Sequence, residues 1–176
     1  CISSAASDVY KRQYEIRWME ADELENNLTV LFVEMVNKAG DCFSQTFTLS
    51  GPGKGNISDQ DEAGGLSGKL DFEKVKGLTP ASINVEAIRK QYEEAKAMIP
   101  ENYTFKSIGD YLIQETVPSG NEFLDRNKTF GEVKAEFSMN ITENGKEIVE
   151  SAGKKSVQYY EVTFNVLPDG SVQMEE

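Results

Sequence analysis

The chain of 176 residues contains no histidine. That absence excludes Ser-His-Asp triads, Cys-His dyads and histidine-ligated metal sites in a single step. Apolar runs are short: none approaches the ~18–20 consecutive residues that a membrane span needs. Basic residues are scarce, with 18 Lys and Arg against 30 Asp and Glu and a formal charge of −12. A surface of that sign repels phosphate backbones, which speaks against nucleic-acid binding, and suits a basic partner.

The first thirteen residues stand apart from the rest. Ser3 to Gln13 reads Ser-Ser-Ala-Ala-Ser-Asp-Val-Tyr-Lys-Arg-Gln. This run resembles the one-frame translation of a transposase-based library adapter, without a departure across it. Residues 1–13 are therefore set aside as a non-native segment. The expectation that follows is a native N-terminus cut upstream of Tyr14, with any export signal, lipid-anchor cysteine or first helix lying in the missing part. Removal of this segment is expected to leave stability unchanged. With Cys1 set aside, Cys42 remains, and one thiol makes neither an internal disulfide nor a cysteine zinc site. Its place in an apolar run reads as a buried structural thiol.

From Tyr14 on, the chain has the length of one large domain or two small ones. Such a chain buries about 68–70% of its unfolded surface, enough for a core without staples. Strands are expected at Tyr14 to Trp18, Leu28 to Asn37, Cys42 to Leu49, Gly68 to Lys76 and Tyr103 to Val117, the last bent at Gly109. Ser50 to Ser67 is Gly-rich and acidic and reads as a loop. Val85, Ile88, Tyr92, Ala95 and Ile99 recur at helical spacing, which predicts a helix started by Thr79-Pro80 or by Asn84 and ended by Pro100. Val133, Ala135, Phe137, Met139 and Ile141 alternate with Lys134, Glu136, Ser138, Asn140 and Thr142. That pattern predicts a strand with one packed and one wet face. Asn144-Gly145 signals a hairpin turn. Strands at Glu147 to Ser151, Ser156 to Val166 and Ser171 to Glu175 complete the reading.

Four stretches match between the halves in the same order. Tyr14-Glu15-Ile16-Arg17 matches Tyr103-Thr104-Phe105-Lys106. Lys38-Ala39-Gly40 matches Glu143-Asn144-Gly145, and Phe47-Thr48-Leu49 matches Phe164-Asn165-Val166. The most telling is Gly68-Lys69-Leu70-Asp71-Phe72-Glu73 against Gly170-Ser171-Val172-Gln173-Met174-Glu175. The expected fold class is α+β: antiparallel sheet units, each with a helix on one face, tandemly duplicated with the first helix missing. The units are residues 14–78, truncated, and 79–176. The apolar face left bare by the missing helix is an expected site of self-association.

This order of elements, over most of Tyr14 to Glu176, resembles the PepSY-like and β-lactamase-inhibitor-like modules of bacterial envelope proteins. The resemblance implies a binding or inhibitory unit rather than an enzyme, exported or lipid-anchored. It carries no contact residue over.

Local motifs add little. Gly51-Pro52-Gly53-Lys54-Gly55 lacks the spacing and the following helix of a phosphate loop and reads as a turn. Asp59, Asp61 and Gly64 match the start of a calcium loop, with Glu62 among them, but Ala63 and Leu70 occupy positions that need oxygen ligands. Asn27, Asn56, Asn102, Asn127 and Asn140 begin Asn-x-Ser/Thr triplets, read as incidental to turns and strands. Cofactor and metal motifs are lacking. Trp18, Tyr159 and Tyr160 are the candidate partner-surface residues, since aromatics anchor interfaces. The expected function is a non-enzymatic binding module of a bacterial envelope or secreted protein. A carboxylate-dependent hydrolase or glycan-processing protein, using Asp59, Asp61 and Glu62, is the rival. A structural repeat of a longer envelope protein is a third reading.

Overall fold

A computed structural model describes residues 11–21, 24–62, 69–119, 121–151 and 153–175. Ser3 to Tyr10 of the adapter-like run, and Ala63 and Gly64 of the calcium-like loop, lie outside the described residues. The strands are β1 (Arg12–Glu20), β2 (Leu28–Val36), β3 (Cys42–Thr48), β4 (Asp61–Glu62), β5 (Tyr103–Glu115), β6 (Val133–Glu143), β7 (Ile148–Ser151), β8 (Lys154–Val157), β9 (Tyr160–Val166) and β10 (Val172–Met174). Helix α1 spans Val85–Met98, and a single-turn helix α2 spans Glu122–Asp125. Short 3-10 turns occupy Phe72–Lys74 and Pro80–Ser82.

The expectation of an α+β tandem, with a helix on each sheet unit, is corrected. Eight strands form one antiparallel sheet in the order β10-β9-β6-β5-β1-β2-β3-β4, with β7 and β8 as a separate pair. The protein is mainly β, with α1 the one long helix among the described residues. The stretch that carried most of the repeat argument explains the miss. Val172–Met174 is a strand paired with β9, whereas Phe72–Lys74 is a 3-10 turn capped by the Asp71 carboxylate. The shared Gly-x-aliphatic-polar-apolar-Glu pattern puts buried side chains at Leu70, Phe72 and Val172, but Met174, the match of Phe72, is exposed. Burial alternation does not say whether the backbone finds a ladder partner.

By contacts the chain divides into two units. One comprises the chain up to Trp18, Val30–Ile83 and Leu112–Lys134; the other comprises Met19–Thr29, Asn84–Tyr111 and Ala135–Glu176.

In the second unit, α1 begins at Asn84, the second of the two expected starts, while Pro80–Ser82 forms a separate 3-10 turn. The Asn84 carboxamide oxygen caps it by accepting from Ala87 N at 3.1 Å. Its inner face meets an aromatic sheet surface. Tyr92 stands edge-on to Tyr111 and Phe137, with centroids 5.8 and 4.9 Å away, and Phe137 stacks on Phe164 at 5.3 Å. Ala95 is wholly buried, which lets the helix backbone come close to the sheet. The Tyr111 hydroxyl donates to Gln91 Oε1 at 2.8 Å, so a buried amide on the helix has its partner.

From Ser138 to Thr142 the predicted wet face of β6 is not wet, although Lys134 near its start is exposed. Ser138, Asn140 and Thr142 are only 6%, 4% and 2% exposed. The carboxylate of Glu20 accepts from Ser107 Oγ at 3.1 Å, Asn140 Nδ2 at 3.4 Å and Asn26 N at 2.5 Å. Asp110 accepts from Ser138 N and Oγ at 3.1 and 2.6 Å. Polar side chains that alternate in sequence thus form a buried hydrogen-bonded network, which period-two patterning cannot distinguish from a solvated face. Gly109 does not break β5. A Cβ there would come within 2.6 Å of Ser138 Oγ, so glycine permits the close approach of the neighbouring strand. Burial of Asn140 also closes that sequon to modification in the folded chain.

In the first unit, Tyr14, Val36, Leu70, Phe72 and Val75 form a buried cluster, flanked by Cys42 and Val117. The segment after residue 68 was expected as a strand. It is instead tied down by single bonds: Leu70 N donates to Gly40 O at 2.9 Å, and Leu78 N to Gln13 O at 2.6 Å. Glu115, buried, accepts from Lys76 N and Gly77 N at 2.7 Å each. Arg12 donates to the carbonyls of Phe72 and Val75 at 2.8 and 2.6 Å.

Candidate binding groove

Side chains alternate between the faces of a strand. Val36 points into the cluster around Tyr14, so Met35, Val33 and Leu31 project from the other face of β2. The register places Leu31 opposite Phe47, Val33 opposite Gln45 and Met35 opposite Phe43. Ile16 and Trp18 of β1 join the same surface. Gln13 lines it too. Together these residues form the floor of a groove of about 500 Å³. Leu78, Thr79, Pro80 and Ile83 make one wall. This strap is held by the bond from Leu78 N to Gln13 O and by its own 3-10 turn, in which Thr79 N donates to Ser82 Oγ at 3.2 Å.

The floor graduates from dry to open. Val33 and Met35 are buried, Ile16, Trp18, Leu31 and Phe47 are half-exposed, and Leu49 is exposed. The polar lining is neutral apart from Lys11. Gln45 donates to Ser58 O at 3.0 Å, Gln60 donates to Gln45 Oε1, and Lys11 donates to Gln60 Oε1. Lys11 also sits 4.8 Å from the Phe43 ring centroid. Gln60 is flanked by Asp59, Asp61 and Glu62, all exposed, so this rim is acidic.

Trp18, the sole tryptophan, therefore stands in the groove. Tyr159 and Tyr160 do not join it. They belong to the second unit, where Tyr160 starts β9 and meets the edge of Tyr103 at 5.5 Å. Asp61 and Glu62 form β4, paired with Ser44 and Phe43. Among the described residues no group of three or more His, Cys, Asp or Glu could hold a metal ion. Cys42 is free and half-buried, and burial pushes its thiol pKa up, away from the thiolate form. Among the described residues no helix is long and apolar enough to cross a membrane.

Leu31, Val33, Phe47 and Leu49 were read in the sequence only as strand residues. Their signal was present as apolar side chains at every second position of two adjoining strands, one of them also apolar on its other face.

Comparison with protein-family models, with curated proteins and with solved structures finds no match for this chain.

Proposed function

We propose that this protein is a binding module whose site is the apolar groove on β1, β2 and β3. One observation carries the reading: a continuous surface of large apolar side chains, including Trp18, stands half-open beside a structured strap. Ligand sites are concave, chiefly apolar, and carry a few neutral polar groups that fix orientation. This groove has that composition, with Gln13, Gln45 and Gln60 at its margin. The strongly acidic composition is compatible with a setting in the bacterial envelope or outside the cell.

The test is titration with the neutral apolar dye Nile red. The dye is expected to brighten on binding and to quench or shift Trp18 emission, and both responses are expected to vanish in Leu31→Asp and Phe47→Asp. Dye binding that survives both substitutions would place the site elsewhere and remove the reading.

A further inference from the structure

Three features of the groove narrow what can fill it. The first is backbone hydrogen bonding. The floor is a sheet face, not an edge. β1 lies between β5 and β2, and β2 is paired with β3 along its length. The outer edge of β3 is also taken: Thr48 N donates to Asn56 O, Ser58 N to Thr46 O, and β4 completes the pairing. An extended peptide laid across this face would find no ladder partners for its own N–H and C=O groups. Each such group buried without a partner costs about 1–3 kcal/mol. An occupant that buries backbone here must satisfy it internally, and a helix does so.

The second feature is size. β2 has nine residues, a length of about 30 Å, and three strands span roughly one helix diameter of 10–12 Å. The second unit shows how such a face is closed. α1, with 14 residues and a length of about 21 Å, lays Tyr92 on Phe137 and Tyr111, with Ala95 wholly buried. An aromatic knob beside a small residue brings the helix down onto an aromatic sheet.

The third feature is charge. The rim at Gln60 carries Asp59, Asp61 and Glu62, and the chain carries −12 overall. A second copy of this chain brings the same negative charge and has its α1 already engaged. A partner with Lys and Arg on its polar face meets the rim with complementary charge.

We infer that the groove takes an amphipathic, basic helix from another protein, its apolar stripe on Trp18, Leu31 and Phe47 and its cationic side toward Asp59, Asp61 and Glu62. This rests on the groove being the binding site and adds the class of partner.

The experiment titrates the full chain with three synthetic peptides of about 15 residues, long enough to cover the groove. One carries a leucine stripe with Lys and Arg on the other face. One has the same stripe with Glu, and one is a scramble of the basic peptide. Trp18 emission and peptide circular dichroism are read together. The basic peptide is expected to bind saturably and to gain helix content on binding, with the Glu peptide at least about tenfold weaker. The charge-swap variant Asp59→Lys/Asp61→Lys/Glu62→Lys, on an exposed rim that leaves folding intact, is expected to reverse that preference. Equal binding of the scrambled or the Glu peptide would overturn the inference. So would a concentration-dependent dimer of the chain alone that Leu31→Asp abolishes. Nile red binding without any helix binding would overturn the inference while leaving the groove as the site. Loss of both would remove both.

Discussion

Leu31 on β2 and Phe47 on β3 stand directly opposite each other in the antiparallel ladder, and both line the same groove. Cross-strand neighbours of this kind usually belong to a closed core. Here both are half-exposed. Replacing either with Asp is expected to abolish binding at a stability cost of about 1–3 kcal/mol, less than at a closed core position. Urea denaturation alongside Nile red titration separates the two effects.

The opposite outcome is expected at Phe137. It is almost completely buried and touches Tyr92, Tyr111 and Phe164. Phe137→Ala removes the ring that links α1 to the sheet and leaves a cavity, at an expected loss of about 3–5 kcal/mol. The midpoint of urea unfolding is the readout.

Arg12 sets a contact against a sequence expectation. The residues up to Gln13 were expected to be dispensable, yet the Arg12 guanidinium lies 4.0 Å from the Phe72 ring centroid and donates to two carbonyls beside it. An arginine of any origin would meet those acceptors, so an adapter-derived segment and a stabilising contact are compatible. Arg12→Ala is expected to lower stability by about 1–3 kcal/mol, combining charge-assisted bonds and the ring contact. A chain beginning at Tyr14 would also lose the Gln13 carbonyl that holds Leu78. Thermal melts of Arg12→Ala and of the shortened chain check both points.

Much of the fold was legible in the sequence where periodicity and burial agree. The helix over Val85–Met98, a strand over Val133–Glu143 and a turn at Asn144-Gly145 occur where they were read, but the expected wet face of that strand is buried from Ser138 to Thr142, and the turn closes no hairpin because β7 pairs with β8. Pairing was not legible, because period-two patterning gives faces and not neighbours. Hence one sheet was read as two separate sheets each with its own helix, and Phe72–Lys74 as a strand. The site was half legible. Trp18 was singled out as an interface aromatic alongside Tyr159 and Tyr160, but the groove depends on the strap at Leu78 and on β2 having apolar side chains on both faces. A strand read as fully buried can equally be a strand with one face waiting for a partner.

Alkaline pH is expected to unfold the chain through its tyrosines. Burial raises Tyr111 to about 12 and pushes Tyr14 and Tyr92 up further. A raised folded value means that the contribution is complete below the ordinary value of 10.0 and is lost as pH climbs through the folded one. Stability is therefore expected to decline from about pH 10 upward. Acid acts in the other direction. A hydrogen bond from Asn37, with Lys69 beside it, holds the Asp41 carboxyl below 3.8, so its contribution is present above that pH and lost below it. Ultraviolet titration of phenolate, followed with circular dichroism, is expected to show Tyr14, Tyr92 and Tyr111 ionising only as structure is lost.

The most direct test of the groove as the binding site is a two-dimensional NMR titration with the basic amphipathic peptide. Trp18 supplies the chain's single indole N–H signal. Shifts are predicted for that signal and for the amides around Ile16, Leu31, Phe47 and Ile83, with the amides of β9 and β10 unmoved. An unshifted Trp18 indole, with changes centred on Tyr159 and Tyr160 instead, would contradict it.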